Sequence, residues 1–408
     1  MTSPPTQVAI LGAGPIGLDA ALACADAGVP FTVYEAGDTV GAHVAMWGHV
    51  RLFTPWRMNL SRRMRTRLPE APGDERCPSG HELLDTVLRP LAAHPALAGR
   101  IRPRHRIRAV GRAGLLKHEE ISTPDRAAAP FRILIDTPEG QHVEHADAVL
   151  DCTGTYGQPN ATGDGGIAAP GETALGARIS RALPPLNNDR DRSRWRGSIL
   201  LVGAGKSAQT AARDLAALPD TRLDWVVRNP DPDWGEIPDD TLPSRQALVD
   251  AARRLAGDGQ RRVTVHAGCT VEALVPEGDR ILASLRAPGG VRRLTVDHVL
   301  SLTGYVGDAS LYRQLQIHEC YATAAPMNLS ATLLAAAGGD CLAQPAVGID
   351  ALRTPEPNFF VLGAKSYGRL STFLLRVGYE QVDQITAGYP TPTPAAVTSS
   401  AKSPSEAR

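Results

Sequence analysis

The sequence lacks several features that would point to particular classes of protein. Its 408 residues carry 43 basic and 43 acidic side chains, so the formal net charge is zero and no nucleic-acid-binding surface is indicated. No apolar run approaches the roughly 18 residues of a membrane span, and the first residues lack the apolar core of a signal peptide. We therefore expect a soluble, cytoplasmic protein with neither a nucleic-acid nor a membrane partner.

Cysteine is sparse and unpaired. The six cysteines form no Cys-x-x-Cys motif and no zinc spacing, so the sequence predicts no metal centre and mostly reduced thiols. Cys320 and Cys341 flank an apolar stretch that predicts a helix over 329–337. They could meet as a redox pair or remain separate core residues, and both alternatives stay open.

Glycine, by contrast, is abundant, and three glycines near the start have an informative spacing. The apolar residues 8–11 lead into Gly-Ala-Gly-Pro-Ile-Gly at 12–17 and then into a helix-favouring stretch. The first glycine allows a tight turn, the second lets a pyrophosphate approach the backbone, and the third lets helix and strand pack closely. A glutamate follows at the distance, about 20 residues, where a carboxylate binds ribose hydroxyls. The residues assigned to this first site are Gly12, Gly14, Pro15, Gly17, Glu35 and Ala36.

The same pattern returns in the middle of the chain, at 198–208, with alanine in place of the third glycine. The strand predicted after this second motif ends in an arginine where the first ended in a glutamate. Because a guanidinium can pair with a 2′-phosphate, the second site is expected to prefer NADPH to NADH. The residues assigned to it are Gly203, Gly205, Lys206, Ser207 and Arg228.

Between these motifs, the stretch 37–56 has neither a helical nor a strand period, and we expect a structured loop. In a chain with only 5% aromatic residues it concentrates several aromatic and basic side chains. They are predicted either to line a surface for a flat ligand or to form a packed aromatic loop. The candidate catalytic residues are His43, Trp47, His49 and Arg51.

The order of predicted strands repeats after each motif, which indicates two units of similar plan with the second inserted into the first. Residues 147–154 and 297–304 are equivalent buried strands that both end in Thr-Gly. We predict a first unit over 1–165 that resumes over 297–386, a second unit over 166–296, and a disordered tail over 387–408, where the apolar content is low.

Taken together, the two glycine motifs, the Cys77-Pro-Ser-Gly-His81 helix start and the Phe360-Val-Leu-Gly363 strand end resemble the two-dinucleotide-domain flavoproteins. In detail the chain is similar to the flavin-containing monooxygenase and N-hydroxylase-like branch. The resemblance implies an α/β fold with two Rossmann-like dinucleotide-binding domains, one for FAD and one for NADPH, each with a small antiparallel sheet. It also implies cofactor contacts at Thr153, Gly154, Gly304 and Gly363, the last followed by a helix whose positive end faces the flavin.

The activity implied is NADPH-dependent monooxygenation, in which one atom of molecular oxygen is inserted through a peroxyflavin at a nitrogen, sulfur or carbon of a small substrate. The alternative is an NADPH-dependent flavin reductase of a quinone, disulfide or other acceptor. Absence of Cys-x-x-Cys disfavours the disulfide form of that alternative. A third hypothesis is a nucleotide-sensing protein without catalysis, and a homodimer is an allowed assembly.

Overall fold

The computed structural model describes residues 5–257, 262–335, 342 and 347–389. In this part of the chain the strands are β1 (Val8–Leu11), β2 (Phe31–Tyr34), β3 (Ile101–Arg102), β4 (Arg106–Arg112), β5 (Phe131–Thr137), β6 (Gly140–Ala146), β7 (Ala148–Asp151), β8 (Ile179–Ser180), β9 (Gly197–Val202), β10 (Thr221–Val227), β11 (Val263–Ala267), β12 (Thr270–Glu277), β13 (Arg280–Ala287), β14 (Gly290–Val296), β15 (His298–Ser301), β16 (Glu319–Cys320), β17 (Ala325–Pro326) and β18 (Phe359–Val361). The α-helices are α1 (Pro15–Asp26), α2 (Ala42–Met46), α3 (Trp56–Asn59), α4 (Arg62–Arg65), α5 (Gly80–Leu83), α6 (Arg89–Ala93), α7 (Pro124–Ala128), α8 (Glu172–Leu175), α9 (Asp189–Ser193), α10 (Lys206–Ala216), α11 (Pro243–Ala256), α12 (Met327–Ala335), α13 (Ile349–Leu352), α14 (Ala364–Tyr367) and α15 (Leu375–Thr386).

Two parallel sheets organise these elements. The first has the order β18-β7-β1-β2-β3 and the second the order β11-β10-β9-β15-β8. Every pairing in both sheets is parallel. The four residues of β1 are buried on both faces, as an apolar central strand of a parallel sheet should be. The predicted α/β class with two parallel sheets is therefore confirmed.

Each parallel sheet carries a three-stranded antiparallel sheet at the same place in its connectivity. β4, β5 and β6 lie between β3 and β7, and β12, β13 and β14 lie between β11 and β15. β15 pairs with β9 and β8, so residues 298–301 belong to the second sheet. β15 thus belongs to the second sheet as β7 belongs to the first, and the division of the chain at 297 stays a prediction.

The two units are joined by two chain segments that lie side by side. The segment 154–160 leaves β7 and the segment 303–306 leaves β15, and Pro159 and Tyr305 form an antiparallel bridge. The Asn160 amide donates to the Gly304 carbonyl at 2.9 Å, and the Val306 amide donates to the Gln158 carbonyl at 3.0 Å. We call this pair of segments the crossover.

Local structure departs from the sequence-based expectation at several places. The stretch 37–56, expected to be irregular, contains α2, and its last residue begins α3. The helix start expected at 77–81 is where the helix begins, because Ser79 caps it in a reciprocal capping box with Glu82. The middle of this helix, Leu84–Leu88, is π-helical, which was not predicted from the sequence. The first residues of the predicted disordered tail are ordered, since the Tyr389 amide donates to the Thr386 carbonyl at 2.9 Å. Residues 390–408 and Cys341 lie outside the described residues, while Cys320 is buried with a free thiol.

The last helix completes the first unit by packing on its first helix. The Ile16 side chain at the start of α1 fits between two glycines, and a Cβ atom added to Gly378 would lie 2.4 Å from its Cδ1. A Cβ on Gly363 would lie 3.1 Å from its Cγ1. A larger side chain at Gly378 would therefore push α15 away from the start of α1, and one at Gly363 would push the end of β18 away from it.

Candidate functional site

The first glycine motif forms the turn between β1 and α1 that its spacing predicts. Gly12 has a φ of 96°, and a Cβ there would lie 2.8 Å from the Cys152 carbonyl oxygen. A Cβ on Gly17 would lie only 1.9 Å from the Gly12 carbonyl oxygen. On Gly14, by contrast, a Cβ would meet no protein atom within 4 Å. Gly12 and Gly17 thus close the turn. Gly14 leaves an open space at the helix start, which we call a cradle, where backbone N–H groups can bind phosphate.

Glu35 lies beside this cradle and is held by backbone amides. Its Oε2 accepts from the Ala13 amide at 2.8 Å, and its Oε1 accepts from the Gly37 amide at 2.7 Å. The residue is only 8% exposed, and the next residue, Ala36, is exposed. Each carboxylate oxygen keeps a lone pair, so Glu35 can still accept hydrogen bonds from a ribose.

A buried ion pair stands behind the end of β7. The Lys365 ammonium lies 2.6 Å from Asp151 Oδ2, and both side chains are almost fully buried. The same ammonium donates to Thr153 Oγ1 at 3.2 Å, and the Thr153 hydroxyl donates to Asp151 Oδ1 at 2.6 Å. The polar side chains of this turn are therefore satisfied internally. Gly154, with a φ of 70°, leaves open space beside the first cradle.

Gly363 contributes close packing at this site. Its amide donates to Gln381 Oε1 at 2.8 Å, which ties the end of β18 to α15. The residue is buried against Ile16. Gly363 thus positions α15 relative to the cradle, and its predicted contact with a cofactor remains a prediction.

The second motif repeats the first geometry between β9 and α10. Gly203 has a φ of 124°, and a Cβ there would lie 2.4 Å from the Leu302 carbonyl oxygen. A Cβ on Gly205 would meet nothing within 4 Å, so this glycine again leaves the cradle open. Lys206 begins α10, and Ser207 follows it with an exposed side chain. The turn can therefore receive a second pyrophosphate.

Arg228 lies directly after β10, as the sequence predicts. Its side chain is exposed, and within the described residues it makes no ion pair. A free guanidinium at the carboxyl end of the second strand is placed to pair with a ribose 2′-phosphate.

Four rings meet where the first unit contacts the crossover, and we call them the aromatic cluster: His43, Trp47, Tyr156 and Tyr305. Tyr156 is central, with ring centroids 4.9 Å from Tyr305 and 6.2 Å from both other rings. Tyr156 stays 39% exposed, and the indole Nε1 of Trp47 has no hydrogen-bond partner in the described chain. Desolvation by the surrounding protein lowers the pKa of His43, so its imidazole is neutral at neutral pH.

Neither of the other two candidate catalytic residues, His49 and Arg51, makes a ring contact with this cluster in the described chain. Burial, followed by the proximity of His81, lowers the pKa of His49. Arg51 points to the surface, where it donates to the Cys77 carbonyl and lies 3.8 Å from Glu82. Arg51 therefore supports the start of α5, while His43 and Trp47 share a common surface.

Sequence reasoning missed three residues of this region. Tyr156 and Tyr305 follow the two Thr-Gly strand ends by two and one residues, so the repeat could have revealed that they meet at the crossover. Lys365 offered no such signal. Its partner Asp151 is 214 positions away, and no local pattern records that contact.

No protein-family model matches the sequence, and a search of curated proteins finds no relative. Solved structures do match along nearly the whole chain. Bacillithiol disulfide reductase from Bacillus cereus is 18% identical with a TM-score of 0.66, over 94% of this chain and 98% of that one. Ornithine N-hydroxylase from Kutzneria sp. 744 is 16% identical with a TM-score of 0.60, over 93% and 98%. Cadaverine monooxygenase from Erwinia amylovora is 16% identical with a TM-score of 0.60, over 100% of both chains.

The chain therefore has the fold of two-dinucleotide-binding flavoproteins, whose solved structures include both reductases and monooxygenases. This confirms the predicted resemblance at the level of fold. In the described residues no helix is long and apolar enough to cross a bilayer.

Proposed function

We propose that this protein is an FAD-dependent NADPH oxidoreductase, with FAD on the first glycine turn and NADPH on the second. The observation that carries the proposal is the pair of open cradles at Gly14 and Gly205, each at the carboxyl end of a parallel sheet. The similar ornithine N-hydroxylase was solved with reduced FAD and NADP⁺, which supports the same pair of cofactors here.

The residues around the first cradle fit FAD. The amides at the start of α1 would hold its pyrophosphate, and Glu35 would accept from its ribose hydroxyls. Bound FAD would supply the redox chemistry by accepting a hydride from NADPH and passing its electrons onward. The protein contributes binding and orientation, because Glu35 is already fixed by two backbone amides.

The residues around the second cradle favour NADPH over NADH, through Arg228. Substituting Arg228→Gln should lower kcat/KM for NADPH and leave kcat/KM for NADH nearly unchanged. Losing a charge-assisted hydrogen bond costs about 1.5–3 kcal/mol, or roughly a 10- to 150-fold loss with NADPH alone. Arg222, an exposed arginine on β10 itself, is the matched control, and Arg222→Gln should leave the preference unchanged. Equal losses with both dinucleotides would contradict the assignment.

Within this class we propose monooxygenation of a small substrate, with molecular oxygen as co-substrate. The aromatic cluster supplies an apolar surface that excludes water from the reacting centre. The neutral imidazole of His43 can accept a hydrogen bond from a substrate amine and so help to orient its nitrogen. The similarity to two amine-oxidising enzymes, the ornithine hydroxylase and the cadaverine monooxygenase, supports a nitrogen centre.

The second candidate is NADPH-dependent reduction of an acceptor without oxygen insertion, which the similarity to bacillithiol disulfide reductase favours. A relay through the protein's own thiols is not supported near the first turn. Burial raises the pKa of Cys24 to about 12 and the pKa of Cys152 well above its usual range, so both stay protonated. Cys24 and Cys152 are therefore not expected to relay electrons from the flavin to an acceptor.

One experiment separates these functions. Purified protein is reduced with NADPH without oxygen while flavin absorbance is followed, and oxygen is then admitted with a diamine, an amino acid or a thioether. Monooxygenation predicts oxygenated product nearly equal to the NADPH consumed and little hydrogen peroxide. Hydrogen peroxide alone with every nucleophile, together with fast anaerobic reduction of a quinone or disulfide, would establish the reductase. A bound flavin that NADPH cannot reduce would overturn both.

A further inference from the structure

The residues 229–242, between β10 and α11, form what we call the acidic segment. It contains five carboxylates and no lysine or arginine: Asp231, Asp233, Glu236, Asp239 and Asp240. It nevertheless packs against the start of α10, where the pyrophosphate of NADPH would lie. Arg253 pairs with Glu236 and Arg245 pairs with Asp240, but no ion pair is formed in the described chain by Asp231, Asp233 or Asp239. Negative charges beside an anion site oppose binding of that anion. Contacts with the rest of the protein must therefore hold the acidic segment in place, and some of these contacts must change when the dinucleotide binds.

Lys206 holds the middle of the segment at the turn, while Arg245 of α11 holds its C-terminal end through a buried two-point ion pair with Asp240. Its ammonium donates to the carbonyl oxygens of Trp234 at 3.0 Å and Gly235 at 3.1 Å. Gln209, one turn further along α10, reinforces the contact by donating to the Trp234 carbonyl at 2.8 Å and to the Ala204 carbonyl at 2.8 Å. Lys206, the cationic residue of the second glycine motif, is thus hydrogen-bonded to carbonyl groups of the acidic segment.

The residue at the centre of this contact has an uncommon backbone conformation. Trp234 has a φ of 60°, in the left-handed region that bulky side chains rarely adopt. Its ring packs on Trp225 with the centroids 4.7 Å apart, and Trp225 Nε1 donates to the Gly203 carbonyl at 2.7 Å. The packed position of the segment therefore includes a strained residue whose ring contact reaches the second turn.

Another anchor lies on the surface, away from the turn. Glu236 forms a two-point ion pair with Arg253 of α11, with one N–O distance of 3.0 Å and the other of 2.5 Å. Both side chains are exposed. This pair secures the acidic segment without taking part in the cradle, so it can be altered separately.

The position of the Lys206 ammonium favours an anion over two carbonyls. Lys206 is the first residue of α10, and the positive end of a helix disfavours a cation and favours an anion. Burial, followed by the charge of Arg245, lowers the pKa of this lysine. A pyrophosphate at Gly205 would supply the opposite charge that two neutral carbonyls do not.

We propose that the acidic segment is a cover held on the second turn by Lys206, and that the pyrophosphate of NADPH opens it by taking the ammonium from the Trp234 and Gly235 carbonyls. The inference rests on the proposed NADPH site and adds its regulation. NADPH affinity is then limited by the fraction of molecules in which the cover is already open. Weakening a contact that holds the cover but lies outside the cradle should therefore increase the affinity for NADPH.

The test compares two neighbouring arginines of α11. Arg253→Gln removes the outer anchor, whereas Arg254→Gln removes an equal charge from an exposed arginine without an ion pair in the described chain. NADP⁺ affinity is measured by calorimetry on the holoenzyme of each variant. Because an exposed ion pair contributes only a modest free energy, Arg253→Gln should bind NADP⁺ about 1.5- to 5-fold more tightly than wild type. Arg254→Gln should bind equally or more weakly. Because losing a positive charge should by itself weaken binding of an anion, tighter binding by Arg253→Gln supports the cover.

Hydrogen exchange provides the second readout. In wild-type protein, saturating NADP⁺ should speed amide exchange in residues 229–242 while slowing it at the start of α10. Slower exchange in both regions, or weaker binding by Arg253→Gln than by Arg254→Gln, would overturn the cover. Failure of all three proteins to bind NADP⁺ would instead refute the proposed NADPH site. Thermal unfolding of each variant establishes that it is folded.

Discussion

The substitution Gly14→Ala should separate cofactor binding from folding. Gly14 has φ −79° and ψ −172°, which any residue can adopt, and an added Cβ meets no protein atom within 4 Å. Alanine is a poorer helix cap than glycine but restricts the unfolded chain more. These effects have opposite signs and are each about 1 kcal/mol or less, so the unfolding free energy of the apoprotein should change by less than about 1 kcal/mol.

Cofactor binding should respond quite differently. The new methyl group would stand between the backbone amides and the pyrophosphate, and losing one charge-assisted hydrogen bond costs about 1.5–3 kcal/mol. FAD should therefore bind at least about 10-fold more weakly. The assay is reconstitution of apoprotein with FAD, with urea unfolding of the same apoprotein.

Gly17→Ala is the matched comparison. Its Cβ would lie 1.9 Å from the Gly12 carbonyl oxygen, so it should destabilise the apoprotein itself. If Gly14→Ala bound FAD as wild type does, or lost as much apoprotein stability as Gly17→Ala, the open-cradle interpretation would be refuted.

Three buried charge clusters give further predictions. Glu356 is buried between Arg112 and Arg126, so Glu356→Gln should cost about 3–5 kcal/mol in urea unfolding; a loss below 1 kcal/mol would contradict that burial. Burial raises the pKa of Asp19 from 3.8 to about 6, so ionisation of this carboxyl opposes folding. Relative to Asp19→Asn, wild-type stability should fall by about 2 kcal/mol as pH rises from 4 to 7, and a flat difference would refute this. Lys365→Met leaves a buried carboxylate unpaired and should cost about 3–5 kcal/mol, most of it recovered on adding Asp151→Leu if charge burial is the cause.

The parts of the fold that could be predicted from the sequence are those determined by residues close together in the chain. The glycine motifs at 12–17 and 203–208 fix the two turns because each position has its own steric requirement, which the structure meets. The order of strands predicted after each motif repeats, and the two antiparallel sheets are equivalent as that repeat predicted. The capping box at Ser79 was likewise accessible, since it involves residues three apart.

The parts that were not predictable depend on contacts between distant residues. The Lys365–Asp151 pair and the Ile16 contact with Gly378 join the two ends of the first unit, and no periodicity encodes them. The π-helical stretch Leu84–Leu88 is a different case, because Pro90 follows it within the same helix and cannot donate to the carbonyl of Thr86. The aromatic cluster required knowing that two strand ends meet at the crossover.

The position of β18 has a consequence for synthesis on the ribosome. All five strands of the second sheet emerge in one continuous stretch, from β8 to β15, so this unit can fold as soon as residue 301 is free of the exit tunnel. The first sheet must wait for residues 359–361, and α1 lacks its partner α15 until later still. The first unit thus begins first and is completed last. A chain truncated before β18 would contain every strand of the second sheet but would lack the last strand of the first sheet and α15.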